Sequence, residues 1–562
     1  MNRNTELHFG AVPKIHQNRS KFDMSHSIKT AFNNGECIPI FVDSDILPGD
    51  TVQMDMAEIV RMATPIYPVM DNLMLDLYWF FVPHRLVWEH WEQFWGQNDD
   101  PWTQTTEYEI PQVTSPSGGW VEGSIADYMG IPTYVDDLSI NVLPFRAYSK
   151  IWSDWFRDEN LKANSHYYID ETTRTGSNGT NYVLDPELGG MPAKGAKLHD
   201  YFTSALPNPQ KGPSVSIPLG TSAPVYTGAT HDVKSDVGMK WSKYDGTPLT
   251  SPAGTKYAME LVTDAGTNLV TGFENVVQTA GANDYSLYPN NLYVSLDHAT
   301  AASINQLRTA FAIQKYYENA GRSGTRYIEY LRSVFGVESS DARLQRSEYL
   351  GGQRIPINMD QIIQTSSTDN TSPQGNTAGF SCTHAKGSMF TKSFEEHGTL
   401  MCIALVRCEH SYQQGLNKMW NRKKWTDFYN PFFANLGEQS ILNKEIYAQG
   451  SSVVDTDGNV VDEQTFGYQE AWAEYRYKQN IVTAEMRSNA PNGSLDAWHY
   501  ADDYSQLPTL SSGWIDEPQT NVDRTIAVTS AIAHQFIGDF YFKAYYTRCM
   551  PVYSVPGLID HV

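Results

Sequence analysis

Residues 73–95 read LMLDLYWFFVPHRLVWEHWEQFW, and the reading of this stretch decides the fold. Its first half alternates like a strand, with Leu73, Leu75, Leu77, Trp79 and Phe81 on one face. The other face carries Met74, Asp76, Tyr78, Phe80 and Val82, so both sides are largely apolar and one holds a single charge. Open water on either face would expose large rings, so the strand is expected inside a sandwich or beneath a neighbouring layer. Pro83 ends the ladder by removing a donor and fixing φ. Beyond it the period changes: Val87, Trp88, Trp91, Phe94 and Trp95 recur at three and four, as on one side of a short helix.

Working outward, three strand-like runs precede this stretch: SHSIKTAF (25–32), CIPIFVDSDIL (37–47) and TVQMDMAEIV (51–60). Residues 1–24 read as a mildly basic arm. On the far side, FRAYSKIWSDWFRDENL (145–161) regains a helical stripe through Tyr148, Ile151, Trp152 and Trp155. Residues 189–206 read as a turn followed by a short helix. Between 211 and 296 the composition shifts toward Gly, Thr, Ser, Val and Pro, with short β pieces between turn signals. A helix is expected next, capped by Thr300, with Ile304, Leu307 and Phe311 on one face and Gly321 as its stop. A second should turn Ile328, Leu331 and Phe335 inward and end at Gly336.

Strands then return. LMCIALVRCEH (400–410) is apolar on both faces like residues 73–82, VVDTDGNVV (453–461) reads as a hairpin, and FIGDFYFKAYYT (536–547) is the last strand. Strands from both chain ends, with long excursions between, predict a mainly β fold: an antiparallel sandwich of jelly-roll type. The expected organisation is an arm and first part of the core over 1–210, a β-rich surface insertion over 211–296, and helices with the rest of the core over 297–562.

The 562 residues are 41% hydrophobic and 12% aromatic, enough to bury a sizeable core. Only 19% are charged, which fits a subunit whose surface is largely given to contacts. A formal charge of −23 argues against wrapping nucleic acid unaided, because phosphate binding needs Lys and Arg. The five cysteines are scattered without a CxxC pair and read as reduced, buried thiols of a cytosolic product. Neither a secretory signal nor a membrane span is expected.

Little chemistry is legible. No phosphate-binding loop, dinucleotide fingerprint or nucleophile elbow occurs, and the fifteen histidines show no HExxH spacing. No metal site, cofactor or catalytic residue is expected. The acid pairs Asp99-Asp100, Asp136-Asp137, Glu395-Glu396 and Asp502-Asp503 read as solvated loop acids, since strand neighbours face opposite ways. One cluster stands out: Lys418, Trp420, Arg422, Lys423, Lys424 and Trp425 interleave cations with indoles in an acidic chain. Such a pattern can grip single-stranded nucleic acid by phosphate contact and base stacking; it can equally be a solvated turn whose tryptophans anchor it to the core.

Several long runs resemble the major capsid proteins of the microviruses, specifically the gokushovirus branch. They are YWFFVPHRLVWEHWEQFWG (78–96), PFRAYSKIWSDWFRDENL (144–161), PAKGAKLHDYFTSALPNPQKG (192–212), the stretch 304–352, and LGEQSILNKEIYAQG (436–450). The resemblance implies an eight-stranded jelly roll with large loop insertions. It implies a T=1 shell of about sixty copies around a circular ssDNA genome. The partners implied are an internal scaffolding protein, a small basic DNA-binding protein, a minor or pilot protein and a host-cell receptor. In that branch an insertion forms a threefold protrusion that meets the host, and residues 211–296 sit where it should lie. Its turn-like tips, with Lys243, Tyr244, Asp245 and Asp264, carry the mixture expected of a receptor surface. The competing readings are a carbohydrate-binding β-sandwich of a phage appendage and a β-sandwich glycosidase.

Overall fold

The computed structural model describes residues 18–97, 107–215, 304–368 and 373–554, and the backbone of short strands between 225 and 294. Nine strands build the central sandwich: β1 (Ser20–Asp23), β2 (His26–Phe32), β3 (Ile38–Ile46), β4 (Thr51–Met62), β5 (Leu73–Pro83), β6 (Glu348–Pro356), β7 (Thr383–Ser393), β8 (Gly398–Cys408) and β9 (Phe536–Arg548). One sheet has β9 between β4 and the β1–β2 edge, with β7 outside β4; the other runs β6-β5-β8-β3. Every pairing in both sheets is antiparallel. Because β1 and β2 lie end to end along β9, they act as one interrupted edge strand. The chain then alternates between sheets at every step except β5 to β6, which is the connectivity of two interleaved Greek keys, a jelly roll.

The alternation explains the two layers. In β5 the odd residues Leu73, Leu75, Leu77, Trp79 and Phe81 enter the space between the sheets, and Phe80 and Val82 enter a second core behind it. Strand β8 divides likewise: Leu400, Cys402, Ala404 and Val406 face inward, and Met401, Ile403 and Leu405 face back. Trp79 is the centre of the sandwich, its ring 5.0 Å from Phe41, 5.4 Å from Phe390 and 5.8 Å from Phe542, so it touches strands of both sheets. Glu58 lies on the same inner face, 2% exposed, and neither carboxyl oxygen has a hydrogen-bond partner. Burial pushes its carboxyl up to about 7.

Behind the second sheet lies helix α1 (Leu143–Ile151), begun by Pro144 in its first turn, with Leu143, Phe145, Tyr148 and Ile151 buried. The Tyr148 hydroxyl donates to the Cys37 carbonyl at 2.7 Å and fixes the helix to the start of β3. A third, smaller core gathers Tyr201, Phe202, Tyr412, Ile441 and Phe466.

The chain divides into two compact units, residues 1–211 with 318–562, and residues 212–317. In the second, the described backbone forms short antiparallel ladders, including Ala258–Thr263 with Val270–Val276 and Trp241–Lys243 with Leu287–Pro289.

Several local expectations fail. Helix α2 (Ile304–Ser323) runs through Gly321, which therefore does not stop it, and the left-handed turn falls at Gly324 with φ +96°. Its face is not buried, since Ile304 and Phe311 are exposed; Thr300 lies outside the described residues. Phe335 is also exposed, although Gly336 does end its helix in the left-handed region. Residues 201–204 form turns instead of a helix, with the Asp200 carboxylate accepting from the amides of Phe202 and Thr203 and from the Thr203 hydroxyl. Trp95 projects outward, while Trp88 and Trp91 are buried. The hairpin at 453–461, by contrast, is present: Val454 bridges Val460, the Val461 amide donates to the Val453 carbonyl at 3.1 Å and the Asp455 amide to the Asn459 carbonyl at 2.9 Å. Cys382 is half-buried and Cys549 exposed, whereas Cys37, Cys402 and Cys408 are buried free thiols.

Candidate nucleic-acid interface

The basic–aromatic cluster occupies a run of tight turns. Asn417 opens it by accepting the Met419 amide at 3.0 Å, and short 3-10 turns follow at Lys418–Asn421, Trp425–Asp427 and Pro431–Phe433. Asp427 accepts the amides of Lys423 and Lys424 at 2.8 Å each. Those two amides hold its carboxyl below the usual carboxylate range.

The six residues separate into two groups. Lys418 turns inward, its ammonium 3.1 Å from the Ser440 carbonyl. Arg422 pairs with Glu474 at 3.3 Å and lies over the Tyr475 ring at 4.4 Å. These two cations hold the segment to the body. Lys423 and Lys424 are exposed, and the indoles of Trp420 and Trp425 are 70% and 71% exposed. Tryptophans so exposed do not anchor the turn to the core. What remains is two open cations flanked by two open indoles.

The surface extends beyond the predicted cluster. Phe432 is 94% exposed, and Phe428, Tyr475 and Tyr477 are about half exposed. The FYNPFF run directly after Trp425 was a signal for Phe428 and Phe432; Tyr475 and Tyr477 come from a separate turn that no local pattern links to it. Chemically, the arrangement offers flat apolar faces for stacking and two exposed ammonium groups for phosphate. Of the predicted receptor residues, Lys243 lies in the strand Trp241–Lys243, while Tyr244, Asp245 and Asp264 lie outside the described residues.

The acid pairs need one correction. Asp136 and Asp137 are exposed, Glu396 pairs with Arg85 at 2.6 Å, and Asp99-Asp100 lies outside the described residues. Asp502, however, is only 3% exposed and sits in a buried network. His410 Nδ1 is 2.9 Å from Asp502, His410 Nε2 is 3.0 Å from Glu517, and Lys197 Nζ is 3.2 Å from Asp502. Burial disfavours the imidazolium, but Asp502 and Glu517 prevail and raise the His410 pKa to about 10. Two buried cations thus balance two buried anions. Cys408 joins through its thiol, 3.0 Å from Glu517. The donor atoms of Cys408, His410 and Glu517 lie within 4.8 Å of one another, close enough for a metal ion, but both imidazole nitrogens already serve the carboxylates. This network ties the loop bearing Asp502 and Glu517 to the end of β8, and it leaves no free nucleophile or base for catalysis.

Among the described residues, no helix is long and apolar enough to cross a membrane. Residues 10–558 match the family described as "Capsid protein (F protein)". The chain is 42% identical to "Capsid protein VP1" of Bdellovibrio phage phiMH2K over 99% of its own length and 98% of that protein. Capsid protein VP1 of Spiroplasma virus 4 gives the same identity and coverage. That of Chlamydia phage 1 is 40% identical, covering 98% of this chain and 97% of the relative. Similarity this complete makes the chain a member of the phage capsid protein (F protein) family: a major capsid protein of the microvirus type, and so a structural component of the virion.

Proposed function

We propose that the protein closes a T=1 icosahedral shell of about sixty copies around a circular ssDNA genome. In this reading the face bearing Trp420, Lys423, Lys424 and Trp425 meets the nucleic acid, and residues 211–296 form a protrusion that attaches to the host cell. The observation that carries it is the end-to-end match to proteins named as phage capsid proteins, about 40% identical with no large part of either chain left over. The charge of −23 fits a division of labour in which a separate small basic protein neutralises the bulk of the genome. An internal scaffolding protein and a minor or pilot protein complete the expected set of partners. Assembly takes place in the host cytoplasm.

The test is expression with the scaffold, followed by sedimentation and negative-stain microscopy. Closed particles of one size are expected; a small cyclic oligomer would favour the carbohydrate-binding appendage instead. Replacing residues 213–295 by a short Gly/Ser linker should leave particle yield intact and abolish adsorption to cells. Loss of assembly would make the segment structural, and normal adsorption would move host attachment elsewhere.

A further inference from the structure

The buried network around Asp502 has no group free to act on an outside molecule, yet it holds an amine against a carboxyl. Lys197 and Asp502 are each 3% exposed and lie 305 positions apart in the chain. Their backbones are placed independently. The Lys197 amide donates to the Ile515 carbonyl at 2.8 Å, and the Asp502 amide to the Ser411 carbonyl at 2.9 Å. Between the side chains, Nζ stands 3.2 Å from Oδ2, and the Trp514 ring lies 4.5 Å from Nζ. Two reactants fixed at such a distance meet at an effective concentration that reaches on the order of 10⁵ M when their orientation suits the reaction.

The two oxygens of Asp502 have different partners. Oδ1 accepts from His410 Nδ1 at 2.9 Å and from Asn521 Nδ2 at 2.6 Å. These two donors, one of them an imidazolium, stand where negative charge would develop on Oδ1 if Cγ were attacked. Oδ2 accepts from Lys197 and from the Tyr504 hydroxyl at 2.8 Å, so it is the oxygen supplied with protons and the one placed to leave. Burial would raise the Asp502 carboxyl, but His410 and Lys197 hold it well below the usual carboxylate range. The neutral amine and neutral acid are therefore a minor form, which suits a slow reaction that runs once per chain. Passing one proton from Nζ to Oδ2 removes two buried charges together and leaves His410 and Glu517, 3.0 Å apart, as a balanced pair.

We infer that Lys197 and Asp502 join in an intrachain isopeptide bond, a self-modification that closes residues 197–502 into one covalent loop. After the proton transfer, the neutral Nζ attacks Cγ, and the carbonyl electron pair moves to Oδ1, where His410 and Asn521 donate to it. A second proton passes from nitrogen to Oδ2, directly or through the Tyr504 hydroxyl. The Cγ–Oδ2 bond breaks, water departs, and the Oδ1 carbonyl re-forms beside an Nζ that keeps its last proton. No oxidant, metal or nucleotide is consumed. One cation and one anion disappear together, so the net charge stays at −23. Burial of both groups keeps water from reversing the step. The bond ties the turns at 201–204 to the loop beside the end of β8 and restricts the unfolded chain as any long-range cross-link does.

The experiment is an intact-mass measurement of the full-length protein under denaturing, reducing conditions, followed by tryptic mapping. The unaltered chain is expected to be lighter than its sequence by one water, in a fraction that grows with time after synthesis. Trypsin should then fail to cut at Lys197 and release Gly195–Lys211 covalently joined to Ser488–Arg524. Lys197→Arg should show the full sequence mass. Asn521→Ala keeps both reacting groups and should slow the loss of water by roughly tenfold or more. Because the decisive reading is made on the unaltered protein, it does not depend on whether a variant folds. A full sequence mass in the unaltered protein, both fresh and after prolonged incubation, would overturn the bond. Loss of water confined to one of the two peptides, as from a succinimide at an aspartate, would overturn it equally.

Discussion

Strand β5 and the segment 418–436 are among the most aromatic stretches of the chain, and they meet opposite fates. In β5, Trp79, Phe80 and Phe81 are all buried; in the segment, Trp420, Trp425 and Phe432 are exposed. Aromatic content alone therefore does not decide burial. The difference lies in what separates the rings. In β5 a period of two sends successive rings to two different cores, and the one charge, Asp76, is met by two arginines. In the segment, a proline, asparagines and lysines break any period, and its inward-turning side chains are cations held by Ser440 and Glu474. The rings there are left for something outside the subunit.

The largest expected effect lies in the buried region. Trp79→Ala should cost about 3–5 kcal/mol, because the ring bridges both sheets and no neighbour can fill its place. Thermal or urea unfolding of the isolated subunit measures this, and an unchanged midpoint would mean that β5 is not central.

Next comes a probe of how dry that interior is. The Glu58 carboxyl titrates near 4.5 in its ordinary state and near 7 in the fold. Between those values the unfolded chain has released its proton and the folded chain has kept it, so stability falls as pH rises and remains low above 7. Unfolding free energies at pH 5 and pH 8 should differ by about 2–3 kcal/mol more in the unaltered protein than in Glu58→Gln. Equal pH dependence in the two proteins would place water beside Glu58.

The smallest stability effect belongs to the exposed region. Trp420→Ala with Trp425→Ala, or Lys423→Gln with Lys424→Gln, should shift subunit stability by less than about 0.5 kcal/mol. Particles carrying either pair should nevertheless retain less genome, or release it at lower salt than unaltered particles do. Normal packaging with poor assembly would identify the surface as a contact between subunits.

The strands were legible because each carries its own period: the residues of β4, β5, β8 and β9 can be sorted into faces from spacing alone. Even the two-sided burial of β5 and β8 follows from their continuous apolar runs. The buried charges were not legible. Asp502 sits beside another acid in a polar loop, and its partners Lys197 and His410 are distant in sequence, so nothing local distinguishes it from a solvated acid. The helical stripe of α2 misled for the opposite reason, since a periodic apolar face records a capacity for burial and Ile304 and Phe311 find no cover among the described residues. At the interface, the sequence marked the cluster but not the division of labour within it, because Lys418 and Arg422 are distinguished from Lys423 and Lys424 only by where Ser440 and Glu474 fall.

The position of β9 has a consequence for biosynthesis. It lies between the β1–β2 edge and β4, so the first sheet cannot close until nearly the last residues have left the ribosome. At bacterial elongation rates, the first strands wait roughly 25–100 s for the strand that joins them. Through that interval β2 and β4 present unsatisfied edges, and the inner faces that should meet Phe536, Phe540 and Phe542 remain uncovered. A virus that must produce this chain in many copies at once thus makes it in a form prone to mispairing between nascent neighbours, and protection of those early edges sets its yield of usable subunits.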